Sequence, residues 1–127
     1  MTQEAYVSYE VAKLLEEKGF DTPSYITGHV YSEHGTLQSN TSFRSVKNNY
    51  ITACTQQMAM RWLREKHNIY ISIQPDFPSE QDYKMYWCWS ENILHENCVS
   101  AKGYQCYIET YEKSCELAIK YCLKNLI

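Results

Sequence analysis

The sequence predicts a single α+β domain in which the helices pack on one sheet, in the order helix, β-hairpin, helix, three-stranded antiparallel meander, helix. Three observations lead to this fold class. The chain has 127 residues, which is enough to bury one core and too short for two independent ones. Apolar residues recur at helical spacing in three segments. Strict alternation of apolar and polar residues marks strands between the last two helices.

The first helix is predicted over residues 9–18 and carries signals at both ends. Ser8 can cap the free amides, and Gly19 can adopt the left-handed conformation that ends a helix. Residues 24–32 are then rich in β-branched and aromatic side chains. Turn residues and Thr36-Leu37 follow them, so this region predicts a hairpin with a short second arm.

The middle of the chain predicts a loop and then a helix. Residues 38–49 are polar and have no clear period, which is typical of a loop. The helix is expected to start near Thr52 or Thr55, since either can cap it, and to run to about His67. Trp62 lies on its apolar arc and is the expected core anchor.

Two segments after this helix alternate as half-buried strands do. Residues 68–74 place three isoleucines on one face, and residues 82–90 place Tyr83, Trp87 and Trp89 together on one face. Because successive side chains of a strand point to opposite faces, the tyrosine and the two tryptophans share one side of the sheet.

The remaining elements complete the meander and the last helix. Pro75 and Pro78 are expected to bracket a turn, and residues 92–103 to form an irregular connection. Residues 104–108 predict a third strand, and three successive strands form a meander most economically. Residues 111–126 have the clearest helical spacing in the chain.

Composition predicts a folded globular protein, and the absence of an apolar span or a secretory signal predicts a cytoplasmic one. Its hydrophobic fraction of 44% and charged fraction of 21% are those of an ordinary globular protein. No apolar run approaches the roughly 18 residues of a membrane-spanning helix. The start of the chain also lacks the basic-then-apolar pattern of a secretory signal. We therefore expect a cytoplasmic location and no membrane partner.

Charge argues against a dedicated nucleic-acid binder. The formal net charge is −3, whereas neutralising phosphates normally takes a surplus of lysine and arginine. Between residues 41 and 67, however, Glu65 is opposed by five cations: Arg44, Lys47, Arg61, Arg64 and Lys66. This distribution predicts one basic surface on an otherwise acidic protein, so nucleic acid stays an alternative partner.

The cysteines predict buried, reduced thiols rather than a disulfide framework. Six are present, at positions 54, 88, 98, 106, 115 and 122, mostly inside periodic segments and not in loops. His95 and Cys98 have an offset that zinc sites use, but no second close pair accompanies them. Four glycines leave no phosphate-binding loop. No metal, cofactor or catalytic residue is therefore predicted.

Two groups of residues are candidates for ligand binding, each with a structural alternative. Tyr83, Trp87 and Trp89 form either a stacking platform or part of the core. Arg61 and Arg64 lie one helical turn apart and either hold a phosphate or carboxylate or form a solvated face. Arg44 in the preceding loop can assist them. The candidate ligand-binding residues are thus Arg44, Arg61, Arg64, Tyr83, Trp87 and Trp89.

Three segments carry a resemblance to a known family. They are YVSYEVAKLL at residues 6–15 with KGF at 18–20, TQQMAMRWLRE at 55–65, and the stretch that begins TYEKSCE at residues 110–126. In this order they resemble a family of small proteins from gut Bacteroidetes and from their phages and prophages. The resemblance implies carriage on mobile elements. The family has no established activity, so the resemblance transfers no functional residue.

These observations lead to three hypotheses of function. The first is a non-enzymatic accessory or interaction protein, encoded by phage or another mobile element, that binds a host protein, another host macromolecule or a small ligand. Its support is the absence of a catalytic constellation together with twelve tyrosines and three tryptophans, residues favoured at binding surfaces. The alternatives are a nucleotide or nucleic-acid binding module, and a small enzyme that uses Cys98 with His95, or Cys54 with a histidine.

Overall fold

The computed structural model describes residues 5–39, 50–76, 86–94, 99–100 and 103–127, and its architecture is α+β. The chain divides into two compact units, residues 1–59 and 60–127, and the number of independently folding domains stays a prediction. In chain order the elements are α1 (Tyr9–Glu17), α2 (Ser24–Thr27), β1 (His29–Tyr31), β2 (Leu37–Ser39), β3 (Ile51–Ala53), α3 (Gln56–His67), β4 (Ile69–Asp76), β5 (Tyr86–Leu94), β6 (Val99–Ser100), β7 (Tyr104–Ile108) and α4 (Tyr111–Asn125).

The first helix of the first unit forms where the sequence predicts it. The Ser8 hydroxyl accepts a hydrogen bond from the Val11 amide, at 3.2 Å, and thus caps α1. Gly19 has a φ of 91°, in the left-handed region that stops a helix. Val11 and Leu15 are buried on one side of α1, as expected of a helix that covers a core.

The predicted strand over residues 24–32 is wrong in its first half. Ser24–Thr27 form the single helical turn α2, because the Pro23 carbonyl accepts hydrogen bonds from the amides of Ile26 and Thr27. Gly28 follows with a φ of 80°, and the strand β1 contains only His29–Tyr31. A proline preset for a helical turn and a glycine behind it outweigh the β propensity of the side chains.

The prediction of one sheet is also wrong, because the described residues form two. The strand β3 pairs with β1 on the side opposite to β2, which gives a three-stranded sheet in the order β2-β1-β3. Each of these strands has three residues, too few to show a period in the sequence. Residues 38 and 39 belong to β2 and not to a loop, while residues 40–49 lie outside the described part of the chain.

The middle helix α3 starts at the second of its two candidate caps. The Thr55 hydroxyl accepts a hydrogen bond from the Met58 amide at 3.1 Å, whereas Thr52 lies in β3. Asn68 ends the helix with a φ of 57°, a conformation that asparagine tolerates better than most residues. Trp62 is buried, as the apolar arc predicts, and its ring meets the His67 ring edge-on at 4.8 Å.

The second sheet contains the predicted meander. Antiparallel pairing joins β4 to β5 from Ile69 opposite Ile93 to Asp76 opposite Tyr86, and β5 pairs in turn with β7. The boundaries differ from the predictions. The strand β4 runs through Pro75 instead of turning there, because β4 lies at the end of the strand order, where a missing donor is tolerated.

The connection predicted over residues 92–103 contains regular structure that the sequence does not reveal. The strand β5 continues to Leu94, and β6 pairs with its end. Glu91 closes the turn before β7, since its backbone amide bonds to the Gly103 carbonyl at 3.2 Å and its carboxylate accepts from the Gly103 amide at 2.6 Å. The end of the predicted turn, residues 77 and 78, and the first residues of the predicted strand, 82–85, lie outside the described residues.

The last helix α4 covers one face of the second sheet. The Thr110 hydroxyl accepts a hydrogen bond from the Lys113 amide at 3.0 Å and caps the helix. A buried cluster joins Trp89 and Ile108 of the sheet to Ala118 of α4. Partly buried apolar side chains surround it: Ile71, Ile73, Trp87, Leu117 and Tyr121. The apolar stripe predicted for this helix is thus confirmed.

Candidate functional site

The two faces of the second sheet follow from its register. Directly opposed residues of an antiparallel pair project to the same face, so Ile73 opposite Trp89 lies on the face that α4 covers. Along each strand, the residues that alternate with these project to the other face. We call that other face the tyrosine face and define it by Tyr70, Tyr86, Tyr104 and Tyr107, with Ser72, Gln74, Asp76, Cys88, Ser90, Asn92 and Cys106 beside them.

The tyrosines of this face are unusually exposed for large aromatic side chains. Tyr104 is 76% exposed, Tyr107 64% and Tyr70 42%. The rings of Tyr86 and Tyr107 meet edge-on with their centroids 6.0 Å apart. Several exposed large side chains on one face, as opposed to a single scattered one, are typical of an interaction surface.

A β-bulge reshapes the tyrosine face along β7. Trp87 pairs with Ile108 and Trp89 with Gln105, so two residues, Cys106 and Tyr107, oppose Cys88 alone. A bulge of this kind bends its strand and re-aims a side chain, and bulges are frequent beside functional sites. The irregularity therefore alters the direction of Tyr107 relative to a regular strand.

Tyr107 has a backbone conformation that tyrosine rarely adopts. Its φ is 62°, in the left-handed region, which costs roughly 1–2 kcal/mol for a residue with a Cβ. Among the described residues, Asn68 is the other one besides glycine with a positive φ. Backbone strain of this size persists where the surroundings impose it, and such positions cluster at functional sites.

A shallow groove of about 350 Å³ begins beside Tyr107, between β7 and the start of α4. Leu117 supplies its apolar part, and Glu109 and Lys113 bring one charge of each sign. The remaining lining residues are Gln105, Ile108 and Thr110. The groove is concave and electrically balanced, lies on the side of the sheet that α4 covers, and shares Tyr107 with the tyrosine face.

The electrostatics of the face differ from those of a phosphate-binding surface. Among the described residues of the tyrosine face, Asp76 alone carries a charge. The remaining side chains are tyrosines, serines, amides and thiols. With the groove balanced, the surface carries no surplus of cations among the described residues. Affinity for a nucleic acid depends on neutralising phosphates, which this surface is poorly equipped to do.

The predicted arginine pair lies on the exposed side of α3. The guanidinium of Arg61 donates a hydrogen bond to the Glu65 carboxylate at 2.9 Å, one turn along the helix. That hydrogen bond and the charge of Glu65 raise the pKa of Arg61, and Arg61 in turn lowers the pKa of the Glu65 carboxyl. Arg64 is exposed on the same helix. Arg44 lies outside the described residues, and its role stays a prediction.

The two predicted tryptophans lie on the face that α4 covers. Trp89 is 4% exposed and belongs to the buried cluster, whereas stacking on a ligand requires an open ring face. Trp87 is half-buried and meets the Tyr111 ring edge-on at 5.3 Å. Tyr83, the third member of the predicted platform, lies outside the described residues.

The two buried thiols of α4 have environments that disfavour a nucleophile. The free cysteines of the described residues are Cys54, Cys88, Cys106, Cys115 and Cys122. Burial raises the pKa of Cys115 to about 11 and that of Cys122 to about 12, which keeps both protonated at neutral pH. No group of three or more potential ligands suited to a metal ion occurs in the described part of the chain. His95 and Cys98 lie outside it.

Sequence reasoning missed the tyrosine face. The alternation of residues 68–74 separates Tyr70 from the three isoleucines, and that of residues 82–90 separates Tyr86 and Cys88 from the two tryptophans; both signals pointed to the face. The exposure of Tyr104 and Tyr107 depends on which side of the meander α4 covers, and no local pattern contains that information. The bulge at Cys106 and Tyr107 likewise has no signature in the sequence.

A comparison of the chain with protein-family models, with curated proteins and with solved structures gives no significant match. Within the described residues, no helix is long and apolar enough to cross a membrane.

Proposed function

We propose that the chain is a non-enzymatic interaction protein that binds a partner protein through the tyrosine face and the adjoining groove. The observation that carries the proposal is Tyr107, an exposed aromatic side chain held in a strained backbone conformation at a bulge. Exposure means that the ring contributes little to the core. A strained residue that contributes little to the core is best explained by a role in binding.

The chemistry of the face favours a protein as the partner. Tyrosine, serine and asparagine are the residues that antibody binding sites use, because tyrosine gives a large, rigid contact area and the small polar residues adapt their hydrogen bonds. The tyrosine face combines exposed tyrosines with Ser72, Ser90 and Asn92. Its near neutrality suits a partner surface that is polar or apolar but not strongly charged.

The groove beside Tyr107 supports the same proposal. Interfaces derive most of their affinity from a few anchors that fill pockets, with neutral contacts around them. Leu117 supplies apolar surface in the groove, and Glu109 and Lys113, which also line it, can hydrogen-bond to a partner. An apolar anchor of the partner that enters the groove would lie against Tyr107, the residue at the edge of β7 that the groove shares with the tyrosine face.

The alternative functions have less support from the described residues. Nucleotide or nucleic-acid binding needs cations beside the stacking rings, and the tyrosine face has none among the described residues. Thiol catalysis needs a depressed pKa, whereas burial raises the pKa of the Cys88, Cys115 and Cys122 thiols. The resemblance to phage and prophage proteins makes the host's proteins the first place to search for the partner.

The experiment compares three forms of the full chain as bait. The wild type, the double variant Tyr104→Ser/Tyr107→Ser and the control Ile26→Ser are immobilised and exposed to the same host lysate. Ile26 is 58% exposed and lies in the other compact unit, so its replacement removes apolar surface without altering the tyrosine face. Proteins retained by each bait are quantified by mass spectrometry, and the partner is then purified for calorimetry.

We expect a partner that the wild type and Ile26→Ser retain and that the double variant loses. For anchor residues the loss is about 2 kcal/mol, roughly thirtyfold in Kd. Equal retention by all three baits contradicts the proposal. A titration with short RNA at increasing salt concentration tests the alternative of nucleic-acid binding. Binding that weakens with salt and requires Arg61 and Arg64 would support that alternative.

A further inference from the structure

Two cysteines lie on neighbouring strands at the bulge. Cys88 of β5 is flanked by Trp87, opposite Ile108, and by Trp89, opposite Gln105, so Cys106 and Tyr107 of β7 together face Cys88. A disulfide needs about 4.4–6.8 Å between its Cα atoms, a range that includes the spacing of about 4.5–5.5 Å typical of residues on paired antiparallel strands.

The two side chains interact with each other. Burial and then the neighbouring Cys106 thiol raise the pKa of Cys88, so the two sulfur atoms lie within interaction distance on the same face of the sheet. Both residues are half-buried, at the base of the tyrosine face, so small reagents can reach them. The next charged neighbour of Cys88 is Asp76, and the described residues around this pair do not form a metal-binding group.

We propose that Cys88 and Cys106 are a reversible disulfide site that joins β5 to β7 across the bulge when the protein meets a peroxide. This inference is independent of the proposed binding function. The other described cysteines, Cys54, Cys115 and Cys122, are fully buried, so the oxidant reaches the opposed pair first. The bond connects the strands at the point where the bulge interrupts their ladder of hydrogen bonds.

The chemistry is a two-electron oxidation with hydrogen peroxide as the oxidant. One thiolate attacks a peroxide oxygen, the O–O bond breaks, and a sulfenic acid and one water molecule form. The second thiol then attacks the sulfenic sulfur, the S–O bond breaks, and a second water molecule leaves as the S–S bond forms. Two thiols and one peroxide thus give one disulfide and two waters. A dithiol reductant reverses the reaction by thiol–disulfide exchange.

The test maps the bond in the full chain. Trypsin cuts after Lys84, Lys102 and Lys113, which places Cys88 and Cys106 on different peptides. Cys98 shares the peptide of Cys88, so the assignment uses the variant Cys98→Ser alongside the wild type. Each protein is treated with a small excess of hydrogen peroxide, and its free thiols are blocked with iodoacetamide. Digestion without reductant and mass spectrometry follow.

We expect the two peptides to be joined within one chain, with complete loss of alkylation at both cysteines and full recovery after dithiothreitol. In Cys88→Ser the thiol of Cys106 should stay open to alkylation after peroxide, and in Cys106→Ser that of Cys88 should. Full alkylation of both cysteines in the peroxide-treated Cys98→Ser protein overturns the proposal. A bond between two chains, or one that joins either residue to another cysteine, overturns it as well.

Discussion

The two faces of the second sheet are built from the same strands and have opposite properties. On the face under α4, Trp89 and Ile108 are 4% and 5% exposed, whereas Tyr104 and Tyr107 on the other face are 76% and 64% exposed. Trp89 and Cys88 are neighbours in the chain and still belong to different faces. Because successive side chains of a strand point to opposite faces, one strand packs half of its side chains into the core and exposes the other half to solvent.

The faces should therefore respond to substitution in different measurements. Removing a buried side chain loses its transfer free energy and leaves a cavity, so the effect appears in the free energy of unfolding. Removing an exposed side chain loses little stability, and its effect appears in partner binding. The following predictions test that division, in order of decreasing effect on stability.

The largest expected effect is that of Trp89→Ala. The substitution empties the centre of the cluster that joins the sheet to α4, which typically costs 3–5 kcal/mol of unfolding free energy. Urea denaturation followed by circular dichroism measures it. The matched control is Tyr104→Ala on the other face, with an expected change within about 0.5 kcal/mol. Equal losses for the two variants would remove the distinction between the faces.

Gly103→Ala should have the next largest effect. A Cβ at this position would lie 2.5 Å from an atom of the Tyr121 ring, and that ring packs against Trp89 at 5.2 Å. Overpacking of this kind costs about 1–3 kcal/mol. In a double-mutant cycle, Gly103→Ala should cost much less when Tyr121 is already alanine. A cost that is independent of Tyr121 would show that the contact is not the cause.

The covered face should also make stability depend on alkaline pH. Burial, with the nearby Glu91 charge, raises the pKa of Cys122 from 9.0 to about 12 in the folded protein. The unfolded chain therefore loses this proton first, so the stability from the neutral thiol is complete below pH 9.0 and is lost between pH 9.0 and about 12. Cys122→Val should reduce the loss between pH 8 and 10 by roughly 1 kcal/mol.

Urea titrations at several pH values measure this dependence for Cys122→Val and for the wild type. Cys106→Ser on the tyrosine face is the comparison variant, because it also removes one thiol but leaves the face under α4 intact. If Cys122→Val and the wild type lose stability in parallel up to pH 10, the buried thiol does not cause the alkaline loss.

The smallest expected effect on stability is that of Tyr107→Gly. Glycine relieves the left-handed strain, a gain of roughly 1–2 kcal/mol, and adds chain entropy to the unfolded state, a loss of about 0.5–1 kcal/mol. The net change should be a stabilisation between zero and about 1.5 kcal/mol, measured by urea denaturation, while affinity for the partner falls. A clear destabilisation would mean that Tyr107 supports the fold, and the proposed function would lose its main support.

Much of the secondary structure was predictable because its signals are local. The caps Ser8, Thr55 and Thr110 and the periodic stripes of α1, α3 and α4 lie within a few turns of chain. The candidate site was less predictable. The sequence correctly grouped Trp87 with Trp89 on one face, but stacking needs that face to be open, and α4 covers it. Arg61 and Arg64 were correctly placed on the exposed arc of α3.

Spacings of two, three and four residues in the chain were enough to predict an α+β protein with its helices, meander and alternating faces. Long-range packing, which those spacings do not contain, made three short strands a sheet of their own, put α4 on one face of the meander and placed Tyr107 at a bulge. Alternation states which side chains share a face, but burial of that face depends on pairing and packing between residues far apart in the chain.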